Sequence, residues 1–308
     1  MRILVAEAIA REGLALLSER HEVDERVGLT PDELGSIVGE YEALVVRSQV
    51  QVDAALISAG SRLVVIGRAG VGVEVDIVDA ATAAGITVVN APTGNTIAAA
   101  EHTLGLLFGV ARRLPGADAS VRRGEWKRSA FTGVELRGRT LGIVGLGKIG
   151  QAIADRAIAL EMSVIGSDPF VSAETAANRG VELVSFDELL ARADVVSVHV
   201  PYTRATRYLI GREAIGKMKP GAIVLNVARG GIVDEEALAE ALRAGRLGGA
   251  GIDTFTTEPP AASPLLDAPN TVLTPTSGPR RPRRRWRSPR RSPNRSSTSS
   301  TAGLPGTR

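Results

Sequence analysis

The apolar run Leu141-Gly142-Ile143-Val144 passes directly into Gly145-Leu146-Gly147-Lys148-Ile149-Gly150, and then into a helical pattern from Gln151 to Leu160. A G-x-G-x-x-G segment between a strand and a helix points to the start of a dinucleotide-binding fold. Gly145 allows the tight turn, Gly147 lets the backbone approach a pyrophosphate, and Gly150 lets the helix pack on the strand. The anion would sit at the helix N-terminus, against Lys148 and Ile149, where unpaired N–H groups and the helix dipole favour it. The next strand leads to Asp168, 18 residues beyond Gly150. A carboxylate there accepts from both ribose hydroxyls and repels a 2′-phosphate, which selects NAD over NADP. A lone glycine triplet fits an ordinary turn, and Asp168-Pro169 fits one too. Strand, helix and a correctly spaced acid together outweigh those readings.

Strand-length apolar runs recur at 2–6, 43–46, 63–66, 86–89, 141–144, 163–166, 195–198, 222–227 and 249–252. Helical patterns lie between them, among them 9–19, 96–113, 148–160 and 235–244. Nearly continuous apolar strands alternating with helices imply parallel sheets covered on both faces. Thr30-Pro31, Asp187 and Asp234 mark helix starts, and Gly245 after Arg243 marks an end. The series occurs twice, and only the second carries the glycine loop. The expected fold is α/β, with two doubly wound parallel-sheet domains: a smaller one at 1–94 and a Rossmann NAD-binding domain at 95–275. A basic tail from 276 to 308 follows.

That tail dominates the charge balance. Ten of the 37 Lys and Arg residues lie from Thr276 onward, leaving 27 against 34 acids before it, a net of −7. The acidic body offers no footprint for nucleic acid. The Arg/Ser/Pro tail cannot bury enough apolar surface to offset its ordering entropy, and is expected to be disordered, binding polyanions only unspecifically. The absence of cysteine excludes disulfide scaffolds, thiol nucleophiles and thiolate metal centres. Three histidines (His21, His102, His199) leave little for a metal cage, so no metal is expected. No apolar run approaches the roughly 18 residues of a membrane span. Glu7 comes too early for a signal peptide. The expectation is a soluble, cytoplasmic protein with a small-molecule substrate.

Polar residues follow several later strands, where ligands bind in open α/β sheets: His199-Val200-Pro201, Asn226-Val227-Ala228-Arg229-Gly230-Gly231, and Asp253 with Glu258 beyond it. A guanidinium at Arg229 can grip a carboxylate bidentately and polarise a neighbouring carbonyl. At this point the chain strongly resembles the D-isomer-specific 2-hydroxyacid dehydrogenases. The matching stretches are LVVRS (44–48), GRAGVGVEVD (67–76), NAPTGNTIAAAEHT (90–103), LGIVGLGKIG (141–150), SVHVP (197–201), NVARGGIVDEEAL (226–238) and GIDTFTTEPP (251–260).

The resemblance implies a flavodoxin-like substrate domain at 1–94. It also implies NAD-dependent oxidation of a C2 hydroxyl, that of 3-phosphoglycerate in serine biosynthesis. Another D-2-hydroxyacid dehydrogenase, acting on glyoxylate or hydroxypyruvate, and a non-catalytic NAD-binding regulator are the alternatives. Arg229 would bind substrate, and Glu258 would orient a catalytic histidine. Asp253 would face the nicotinamide carboxamide, with Val200, Pro201, Val227 and Ala228 along the coenzyme. Arg47, Ser48, Gly70 and Asn95 would line the substrate side. His102 and His199 match positions other than the general base. The family pairs into dimers through helix 96–113 and segment 115–140, which includes Trp126.

The general base departs from the family pattern. The family places a histidine 18 residues past the glutamate, in a Pro-His-x-Gly-Ala motif, and here Thr276 occupies that position. A threonine hydroxyl cannot act as a base near neutrality. With permitted codon choices, a one-base shift turns the tail from Thr276 on into His-Leu-Gly-Ala followed by an amphipathic helical pattern. The histidine arrives in the family's register. The tail therefore reads as the product of a shifted frame, and resequencing the coding DNA around codon 275 checks this. The chain as written would lack both its base and the returning helix that completes the first domain.

Overall fold

The computed structural model describes residues 1–47, 49–70, 75–91 and 94–276. Ser48 and the tail beyond Thr276 lie outside the described residues. Two parallel sheets account for the strands.

The first sheet is built from β1 (Arg2–Val5), α1 (Arg11–Ser18), β2 (Glu22–Glu25), α2 (Pro31–Ile37), β3 (Ala43–Val46), α3 (Ala54–Ala59), β4 (Val65–Arg68), α4 (Val75–Ala83) and β5 (Thr87–Asn90), in strand order β2-β1-β3-β4-β5. Its first crossover helix after α1 opens with a full capping box: Thr30 accepts from the Glu33 N–H, and the Glu33 carboxylate accepts from the Thr30 N–H. Leu4, Leu44, Ile66 and Ile57 form the core on one face. On the other face Ile3, Val5 and Ala43 pack with Leu14 and Leu17 of α1. Cover on that second face thins toward β5, where Val89 is 49% exposed.

The second sheet follows α5 (Thr96–Ala111) and α6 (Leu114–Arg122). It comprises β6 (Thr140–Val144), α7 (Lys148–Ala159), β7 (Ser163–Ser167), α8 (Ala173–Ala177), β8 (Glu182–Leu183), α9 (Phe186–Arg192), β9 (Val195–Val198), α10 (Arg212–Lys217), β10 (Ile223–Asn226), α11 (Glu235–Arg243), β11 (Gly249–Ile252) and β12 (Thr271–Leu273). Strand order is β12-β11-β10-β9-β6-β7-β8, all parallel. The order reverses between β6 and β9, so the C-terminal ends of those strands open a crevice, the usual ligand position in such sheets. β6, β9, β10 and β11 are almost wholly buried because both faces are covered. Leu141, Ile143, Ile153 and Leu225 fill one side, and Leu189, Leu190, Val224 and Leu238 the other. Burial of each such side chain stabilises by about 1.5–3 kcal/mol. α5 packs on α7, β10 and β11, which ties it to this second sheet.

Asp234 caps α11 by accepting from the Glu236 and Ala237 N–H groups, and Gly245 follows that helix at φ 66°. Asp187, which the sequence marks as a helix start, is not the cap. Ser185 does that work for α9 by accepting from the Glu188 N–H, and Asp187 lies in the first turn. β2, β8, β12 and α6 lie outside the strand and helix patterns of the sequence. β2 is a charged edge strand, Glu-Val-Asp-Glu, with no apolar run to reveal it. α6 begins after Arg113 in the left-handed region at φ 53° and carries Pro115 in its first turn, which reads as a helix stop.

Candidate active site

The glycine loop leaves β6 at the point of strand-order reversal. Gly145 has φ 94°, and a Cβ on it would stand 2.7 Å from the His199 carbonyl oxygen and 2.8 Å from Val200 Cγ1. Only glycine fits there. A Cβ on Gly150 would fall 2.1 Å from the Gly145 carbonyl oxygen, so that glycine sets how closely α7 packs on the turn. At Gly147 nothing lies within 4 Å of the Cβ position, which leaves room above the helix N-terminus. The first intrahelical bond runs from the Gln151 N–H to the Gly147 carbonyl, so the N–H groups of Lys148, Ile149 and Gly150 precede the helical ladder. Asp168, just past β7, accepts from the Leu146 N–H at 2.8 Å through one oxygen and from the Phe170 N–H at 2.8 Å through the other. The acid is thereby tied to the glycine loop. A turn with open space above it, a helix N-terminus and a tethered acid fit a dinucleotide's diphosphate and ribose.

Arg229 lies on a loop leaving β10 at the same edge, and β9 is the only strand between β10 and β6. The loop is held from below. Asn226, 2% exposed, accepts from the Ala228 N–H at 3.1 Å and donates to the Arg229 carbonyl at 2.9 Å. The Arg229 guanidinium donates to the Ala228 carbonyl at 2.7 Å. The loop also crosses the Phe255–Thr256 backbone closely enough that Gly230 has no room for a Cβ.

Asp253, Glu258 and Thr276 meet next to it. Thr276 Oγ1 donates to Glu258 Oε1 at 2.5 Å and lies 2.9 Å from the Asp253 carbonyl oxygen. Glu258 Oε1 also accepts from the Phe255 N–H at 3.2 Å. Asp253 is buried and accepts from Thr274 Oγ1 at 2.5 Å, with His102 Nε2 2.9 Å from the same oxygen. His199 bonds Ser197 through Nε2, and burial pushes its imidazole down to about 3, so it is neutral at physiological pH.

The structure therefore brings Gly145, Gly147, Lys148, Ile149, Gly150, Asp168, Val200, Pro201, Val227, Ala228, Arg229, Asp253, Glu258 and Thr276 to one edge of the second sheet. Arg47 follows β3 and Gly70 follows β4, at the corresponding edge of the first sheet. Glu7, buried at the end of β1, accepts from the N–H groups of Arg47, Gln49 and Val50 and so fixes the loop after β3. Asn95 is the N-cap of α5 but makes no side-chain cap bond. Its Oδ1 and Thr96 Oγ1 are buried without a hydrogen-bond partner among the described residues. The sequence marks Asn226 as a polar strand-end residue but not its bonds to the Arg229 loop, and it gives no sign of the Glu7 contacts or of the His102 contact with Asp253. Glu7 was accessible as an acid just past a strand end, whereas the His102 contact needed the fold. Among the described residues there is no cluster of metal ligands, and no helix is long and apolar enough to cross a membrane.

Residues 104–278 match the family described as D-isomer specific 2-hydroxyacid dehydrogenase, NAD binding domain. A D-3-phosphoglycerate dehydrogenase of Archaeoglobus fulgidus is 51% identical over 277 residues, covering 89% of this chain and 53% of the relative. The chain thus spans about half the length of the curated relatives it matches. Among solved structures, a protein from Thermus thermophilus superposes with a TM-score of 0.81 at 41% identity, covering 90% of each chain. A glyoxylate reductase from Paecilomyes thermophila gives 0.83 at 32% identity, over 90% of this chain and 88% of that one. With its glycine loop at a parallel-sheet reversal and its match over the coenzyme domain, the chain belongs to the D-isomer specific 2-hydroxyacid dehydrogenase family, whose NAD-binding domain it carries.

Proposed function

We propose that this chain carries the site for NAD-dependent oxidation of 3-phosphoglycerate to 3-phosphohydroxypyruvate, with the step impaired at Thr276. The observation that carries the proposal is the Arg229 loop, held by Asn226 one strand away from the glycine loop, at one sheet edge. The name of the Archaeoglobus relative supports the substrate. NAD, when bound, supplies the hydride acceptor. Gly145 to Gly150 hold its diphosphate, Asp168 its ribose and Asp253 its carboxamide end, with Val200, Pro201, Val227 and Ala228 along it. Arg229 grips the substrate carboxylate and polarises C2, while Arg47, Ser48, Gly70 and Asn95 line the substrate side. Glu258 is spent on a threonine hydroxyl where a base belongs.

A frame-restored tail would return the histidine and supply the helix over the open face beside Val89. The exposed Leu114, Val121, Trp126 and Val134 support pairing into a homodimer through this segment. We place the enzyme in the cytoplasm and expect neither membrane nor specific nucleic-acid partners. A glyoxylate or hydroxypyruvate preference is the second substrate reading, favoured by the glyoxylate reductase neighbour. The missing base equally suits an NAD-binding regulator. Calorimetry on the chain should show NADH binding at least tenfold tighter than NADPH. The frame-restored chain should oxidise 3-phosphoglycerate faster than glycerate and run as a dimer in light scattering. Absence of NADH binding to folded protein overturns the coenzyme site, and preference for glycerate overturns the substrate.

A further inference from the structure

His102 sits on α5 and reaches across 151 positions of sequence to Asp253, which follows β11. Asp253 is 4% exposed, and a carboxylate so enclosed needs hydrogen-bond donors around it. Thr274 is one, with its Oγ1 2.5 Å from Asp253 Oδ1. His102 Nε2 approaches the same oxygen to 2.9 Å and stands 3.1 Å from Thr274 Oγ1. The three groups form a triangle. The hydroxyl has one hydrogen, and the shortest side of the triangle assigns it to the carboxylate. The remaining 2.9 Å contact is attractive only if Nε2 carries a hydrogen, because a bare ring nitrogen and a carboxylate oxygen would face each other lone pair to lone pair. The geometry therefore fixes the tautomer: His102 donates from Nε2. Since α5 is packed against β10 and β11, its anchor on Asp253 comes from a rigid neighbour and not from a loop.

We infer that His102 is a positioning residue that holds the Asp253 carboxylate in place for the nicotinamide end of the coenzyme. This rests on the reading of the second sheet as an NAD site with Asp253 facing the carboxamide. His102 touches neither substrate nor reacting atoms; it acts through Asp253.

The test compares two amide variants in the full chain. In H102Q the side-chain amide falls where Nε2 was and can donate to Asp253. In H102N it falls where Nδ1 was and cannot reach. Each variant is titrated by calorimetry with NADH and with ADP-ribose, which keeps the diphosphate and ribose but lacks nicotinamide. H102N is expected to weaken NADH binding about tenfold or more, the scale of a hydrogen bond to a charged group, and to leave ADP-ribose within about threefold of the parent. H102Q is expected to stay within about threefold for both ligands. Retained ADP-ribose binding shows that the variant is folded. If H102N does not fold, H102L takes its place with the same expectation. The inference is overturned if the NADH to ADP-ribose ratio is unchanged, if both ligands weaken together as for a merely structural role, or if H102Q loses NADH as H102N does. Failure of the parent chain to bind either ligand is a different result, which removes the NAD site itself and this inference with it.

Discussion

Thr276→His is expected to raise turnover of 3-phosphoglycerate by about 10²–10⁴-fold, the range a positioned general base contributes. The argument begins with what Thr276 touches. Its hydroxyl donates to Glu258 Oε1 at 2.5 Å and lies 2.9 Å from the Asp253 carbonyl oxygen, so the position stands against the carboxylate and beside the Arg229 loop. A histidine introduced there has Glu258 to receive one ring N–H, which fixes its tautomer and leaves the other nitrogen as acceptor. The carboxylate favours the imidazolium and raises the imidazole above its ordinary value near 6.5. Oxidation needs the neutral ring. The rate of T276H should therefore rise with pH through that raised value and level off above it. Adding Glu258→Gln removes the negative charge. The inflection should then move to lower pH, and turnover should fall with it. Thr276→Asn, polar but not basic, should stay at the parent level. Steady-state assays across about pH 5.5–9 on the three variants, a window spanning the ordinary imidazole value, check the proposal with NADH affinity measured alongside. T276H that binds NADH like the parent and turns over no faster would show that position 276 is not where the proton leaves.

The parts of this molecule legible in its sequence are those where one residue type at one spacing has a single cheap use. The turn at Gly145, with φ 94° and no space for a side chain, is such a place, and so is the acid at Asp168 tied to the Leu146 N–H. Arg229 could be picked out because an apolar strand precedes it and two glycines follow. Strands buried on both faces, such as β9 and β10, announce themselves as unbroken apolar runs. Edge strands do not. β2 shares its register with β1 through backbone bonds, and its outward charges, including Asp24, bond to Arg2 and Tyr41 of neighbouring elements. Nothing local in Glu-Val-Asp-Glu requires a strand. The same holds for long-range side-chain pairs. His102 looks like an ordinary helix residue until β11 and the Thr274 segment are laid beside α5, and Glu7 looks like a strand-end acid until the loop after β3 turns its N–H groups onto it. Sequence reasoning identifies which residues carry charge to an edge. The partner that holds each one there is set by topology.

Gly230→Ala is expected to damage the Arg229 side of the site severely. A Cβ there would stand 1.9 Å from the Phe255 carbonyl oxygen, 2.2 Å from its carbon and 2.7 Å from the Thr256 nitrogen. All three are backbone atoms, so no side chain can rotate away. One of the two loops must move. The Arg229 side is pinned by Asn226 and by the Tyr208 N–H donating to the Gly231 carbonyl at 2.8 Å. The other side is pinned by the Thr256 N–H donating to Glu235 and the Phe255 N–H donating to Glu258. Forcing an extra methyl group into such a contact costs about 1–3 kcal/mol. At roughly 2–4 °C per kcal/mol for a chain of this size, Tm should fall by about 2–12 °C. The displacement separates Arg229 from the Glu258 and Thr276 pair by a fraction of an ångström to about 1 Å, and misplacement on that scale costs about 10²-fold in rate. In the T276H background kcat/KM should drop by that order. ADP-ribose affinity should change little, because the Gly145–Gly150 loop leaves a different strand. Calorimetric melting and steady-state kinetics on T276H and T276H/G230A measure both effects. Equal Tm and equal kcat/KM in the two would mean that the Arg229 and Phe255 loops are not in the contact described, and that Arg229 is not held against Glu258 by this crossing.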